Sequence, residues 1–178
     1  MANWIDQSSQ YSISCTDIGG TMDLIINGIV AGVLGTLAMD SLNHLFARTG
    51  MLLRIEVGMI GRMSVGWVHG RFRYQHPSEM QQVTNEIIYG YITHYTIGVC
   101  LAIPFVLGWD LFVGGPASPV WALIYGVATT VASVFFVYPS MGLGVFGWRS
   151  PEGIMAPLSS LANHFFFGLG MAVAVAVA

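Results

Sequence analysis

No lysine occurs anywhere in these 178 residues, and charge of either sign is scarce at 8% of the chain. An ordinary soluble domain carries about 25% charged residues. A water-facing surface cannot be built from so few, so lipid must be the solvent for much of this chain. The net charge of −3 is small and diffuse. That excludes a nucleic-acid binder, which needs a clustered basic face. There are only two cysteines, Cys15 in a polar stretch and Cys100 in an apolar run, and no CxxC pair. A disulfide framework and a thiolate metal site are therefore both excluded. The N-terminal stretch MANWIDQSSQYSISCTD lacks the basic region, the apolar core and the cleavage site of a signal peptide. Also absent are GxSxG, HExxH and a phosphate-cradling glycine loop. No serine has a nucleophile-elbow context.

What is abundant is apolar length: 54% of residues are hydrophobic. A spanning helix needs roughly 20 mostly apolar residues. Four segments qualify, at 24–47, 86–112, 119–141 and 157–178. The fold class predicted is all-α: a polytopic membrane protein with four transmembrane helices. The domain division expected is a polar N-terminal arm at 1–22 and a transmembrane domain at 23–178. Leu52, Ile55, Met59, Ile60, Met63 and Trp67 recur at helical spacing among arginines. They suit an interfacial helix after the first span. An irregular loop with apolar anchors fits the glycines there equally well. Pro104 is expected to kink the second helix.

Arg48, Arg54, Arg62, Arg71 and Arg73 lie between the first two spans, and Arg149 between the last two. With four helices, both segments fall on one face. The positive-inside rule makes it cytoplasmic. The localisation expected is a bacterial inner membrane, with both termini outside.

The stretch GTLAMDSLNHLF, Gly35 to Phe46, places Asp40 and His44 inside the first apolar run. At 1.5 Å per residue, Asp40, His94 and His164 all lie ~10–12 Å from the arginine-bearing face. A carboxylate facing lipid there costs at least ~2.5–3.5 kcal/mol, so it should turn inward. Gly32, Thr36, Asp40 and His44 recur every fourth residue; Gly90, His94 and Gly98, then Ser160, His164 and Gly168, repeat the pattern. Small residues let helices approach closely, so these stripes are expected to be packing faces. Asp40 should then meet His94, His164 or both. Such a cluster can be structural glue. It can be a transition-metal site with Asp40, His44, His94 and His164 as ligands, or a proton relay. It can also be an axial site for haem or a chlorophyll-type macrocycle, with His94 or His164 binding the cofactor. His69 and His76 should be solvated.

The chain resembles an uncharacterised family of small bacterial inner-membrane proteins, the domain of unknown function 2938 type. The resemblance rests on GIVAGVLGTLAMD, GRFRY at 70–74, THYTIG at 93–98, YPSMGLG at 138–144 and NHFFFGLG at 163–170, in that order. It implies a polytopic membrane protein and supplies no activity. Asp40, His94 and His164 are motif positions without an assigned role.

Two functional readings follow. One is a small accessory subunit packed against other membrane protein subunits of a larger complex, respiratory or photosynthetic. No soluble domain carries chemistry, and glycine-lined faces outnumber what one small bundle should need. Trp4, Ile5, Tyr11 and Ile13 could anchor the arm. The other is a metal- or haem-dependent membrane enzyme, or a small transporter, centred on Asp40, His94 and His164.

Overall fold

The computed structural model describes residues 15–178, with side chains from residue 20. It is all-helical, and no strand occurs among the described residues. The long helices are α1 (Cys15–Arg48), α3 (Glu86–Phe112), α4 (Pro119–Ser140) and α5 (Met155–Val177), with a shorter α2 (Val57–Val68) after the first. All four long ones are apolar enough to cross a membrane. The protein is thus a membrane protein of four spans. α1 starts inside the stretch read as the polar arm; the rest of that arm, residues 1–14, lies outside the described residues.

α1 packs against both α3 and α5, α5 also against α4, and α2 against α3. Glycines set these contacts, because a Cβ would collide with the neighbouring backbone. On α1, Gly28 and Gly32 face Ile103 and Val99 of α3, while Gly35 faces Phe167 and Gly170 of α5. Gly126 meets Gly168 between α4 and α5, and Gly61 and Gly90 bring α2 onto α3. The glycine stripes are thus occupied within the bundle. That removes the surplus of small-residue faces on which an accessory role was argued.

Ala31, Met39, Ala102, Phe105, Phe167 and Met171 form the buried centre. Ile60, Met63, Tyr74, Met80 and Met141 form a second core at the arginine-bearing end. There α2, the short helix expected after the first span, is docked on α3. Arg62 makes a two-bonded ion pair with Glu86 at the start of α3, at 2.7 and 2.8 Å. That hydrogen-bonded carboxylate holds the guanidinium above its ordinary pKa. The α2–α3 and α4–α5 connections meet where Arg149 donates to the Gln75 carbonyl at 2.9 Å. All six arginines therefore gather at one end.

α3 and α4 do not pack along their lengths. They are bridged toward the other end, where Tyr125 donates to the Leu101 carbonyl at 2.8 Å and stacks near Phe105. α3 runs unbroken through Pro104. α4 contains one π turn, Ser133–Val137, just before Pro139.

Candidate functional site

The gap between α3 and α4 holds a cavity of about 440 Å³. α1 and α5 form its back wall. Residues 53–56 and 150–152 border it at the arginine-bearing end. Most of its wall is apolar, including Met39, Ile97, Leu101, Val137 and Phe167. Set into that wall are His94 from α3 and His164 from α5.

The two imidazoles are held differently. His94 Nε2 lies 3.0 Å from Asp40 Oδ1 on α1. A carboxylate accepts, so Nε2 carries a proton, and in the neutral ring Nδ1 then keeps its lone pair. His164 Nδ1 lies 2.8 Å from Thr129 Oγ1 on α4. That hydroxyl lies 2.5 Å from the Gly126 carbonyl oxygen, and two oxygens so close need the proton between them. Thr129 therefore donates to Gly126 and accepts from His164 Nδ1–H. His164 Nε2 is left with the lone pair. Each ring has one nitrogen committed to the protein, and neither second nitrogen has a partner among the described residues.

The sequence places Asp40, His94 and His164 in one region, and the structure divides them. Of the two histidines Asp40 meets only His94; His164 turns to Thr129, which sequence reasoning missed. Tyr138 on α4 donates to the Ala156 carbonyl at 2.7 Å. Asp40 Oδ2 is buried without a hydrogen bond, and Tyr95 lies beside the same carboxylate. Asp40 and His44 line a neighbouring groove of about 530 Å³ rather than the cavity. Arg54, Ile55 and Glu56 border both spaces. His44 is exposed there. Among the described residues, no three His, Cys, Asp or Glu side chains are gathered to hold a metal ion. The four residues expected to share one therefore do not form a single ligand set. His69 and His76 are exposed, as expected.

A second polar group escaped the sequence reading. Asn43 is 2% exposed, yet Nδ2 donates to the Leu53 carbonyl and to Asn163 Oδ1, both at 2.9 Å, and Oδ1 accepts from Ile55 N at 3.1 Å. Ser159 accepts from Leu53 N at 3.0 Å. The segment after α1 is thereby strapped across the cavity onto α1 and α5. The available signal was a pair of asparagines inside apolar runs, which must be satisfied when buried.

No curated protein and no solved structure matches the chain. A family model matches residues 29–178, which takes in every span but the start of α1. The chain belongs to the family described as protein of unknown function (DUF2938).

Proposed function

We propose that this protein binds a small molecule in the cavity between α3 and α4 and exchanges protons there through His94 and His164, as a small carrier does. One observation supports this above the rest. Two imidazoles from different helices line the same cavity, each with one nitrogen bonded to the protein and the other without a partner among the described residues. A carboxylate behind His94 stabilises the imidazolium that forms when Nδ1 takes a proton. The cavity borders the arginine-bearing end, which we read as cytoplasmic in a bacterial inner membrane.

The accessory-subunit reading has less behind it, since its glycine faces are filled internally and lipid satisfies the outward apolar surface. Histidine labelled with ¹⁵N, followed by NMR in the full-length protein in nanodiscs, tests the proposal. At alkaline pH, His94 should be the Nε2–H tautomer and His164 the Nδ1–H tautomer. At least one of the two rings should take up a proton while the protein is folded. Rings that stay neutral until the protein unfolds would overturn proton exchange.

A further inference from the structure

We propose that the ligand of this cavity is an organic cation, an ammonium group carried on an apolar body. This rests on reading the cavity as a binding site and adds the ligand's chemical class.

The lining is rich in acceptors because its protons already point into the protein. His94 donates to Asp40 and His164 to Thr129, so each ring lining the cavity, when neutral, keeps a lone pair on its other nitrogen. The Thr36 hydroxyl donates to the Gly32 carbonyl at 2.9 Å, Tyr138 to the Ala156 carbonyl and Ser160 to Ser133 at 3.0 Å. The donors left over are neutral on Ser133, Ser159 and Asn163, and charged only on Arg54 at the border. At the border, Glu56 and Glu152 outnumber Arg54. An anion would meet lone pairs and carboxylates. A neutral alcohol brings a single proton to donate. A primary ammonium brings three, enough for both imidazoles and one hydroxyl oxygen together. The apolar walls, with Ile97, Leu101, Val137 and Phe167, suit a hydrocarbon body behind that head.

Three probes with one chain and different heads separate the choices: octylammonium, octanol and octanoate. Their binding is measured on full-length protein in nanodiscs at mildly alkaline pH, with empty nanodiscs subtracting partition into lipid. Octylammonium should bind at least about tenfold more tightly than octanol, a factor worth 1.4 kcal/mol, and octanoate should bind least. Glu56→Gln with Glu152→Gln, both exposed positions, should weaken octylammonium and leave octanol unchanged. Equal binding of the three probes, or preference for octanoate, overturns the assignment. Selective ammonium binding with histidines that take up no proton would keep the ligand class and remove the exchange. Proton uptake without ammonium selectivity would do the reverse.

Discussion

A histidine inside a membrane helix has two nitrogens to satisfy, and His94 and His164 divide them in opposite ways. His94 has its Nε2 proton on a carboxylate, and His164 has its Nδ1 proton on a hydroxyl that is itself committed to Gly126. Different substitutions should therefore disturb them. Thr129→Val removes the acceptor of His164 while keeping the shape. Intramembrane hydrogen bonds average about 0.6 kcal/mol, so stability should fall by about that much. The His164 tautomer should become mixed in the ¹⁵N spectrum while His94 is unchanged. Asp40→Asn keeps an oxygen acceptor for His94 but removes the carboxylate charge, so the Nε2–H tautomer of His94 should be less strongly preferred in the ¹⁵N spectrum. A His94 ring-nitrogen spectrum unmoved by that substitution would sink the role given to Asp40. The Asp40–His94 contact was legible in the sequence, because an isolated intramembrane carboxylate at matched depth needs a partner. Thr129 was not. A threonine in GVATTVAS reads as an ordinary small residue until the backbone shows which carbonyl holds its proton.

Elements are placed here by what glycine permits and by what asparagine ties down. Gly126 faces the Gly168 backbone, whereas nothing lies within 4 Å of a Cβ at Gly108. Gly126→Leu should therefore push α4 from α5 and lower thermal stability in detergent, while Gly108→Ala should be neutral or slightly stabilising, since alanine is the better helix former. Similar losses at both positions would refute the close α4–α5 approach. The strap over the cavity makes a second case. Asn43→Ala leaves the Leu53 carbonyl, the Ile55 amide and Asn163 short of partners, at about 1–3 kcal/mol for each buried group left unpaired. The loss should appear as faster hydrogen exchange at Leu53 and Ile55, with α3 and α4 protected as before. The spans themselves were legible to within a few residues, because apolar length sets them, except that α1 starts nine residues before the expected 24, in polar sequence. The π turn in α4 was not, since it depends on a slip in the hydrogen-bond ladder and not on side-chain period. Amphipathic spacing suggested α2, but its docking depends on the Gly61–Gly90 approach to α3, a tertiary fact.

At the scale of the whole molecule, the asymmetry of charge is the main constraint. Six arginines and no lysine make up all its fixed cations, and the fold brings all six to one end, where Arg149 reaches the backbone of Gln75 across two connections. Basic residues in short loops are retained on the cytoplasmic side, and each would cost about 2.5–3.5 kcal/mol at the centre of a spanning helix. Four spans then put the end of α5 on the opposite side, together with the start of α1. A periplasm-active reporter fused after Ala178 should be active in a bacterial host, and the same reporter inserted at the exposed Gly70 should be silent. Because the arginines lie in two separate connections, replacing Arg149 alone should leave this pattern unchanged. Replacing Arg71, Arg73 and Arg149 together by glutamine should give a mixed orientation. A silent reporter at Ala178 in the unaltered protein would invert the topology. The cavity and its histidines would then border the outer side, and any proton taken up by His94 and His164 would come from there.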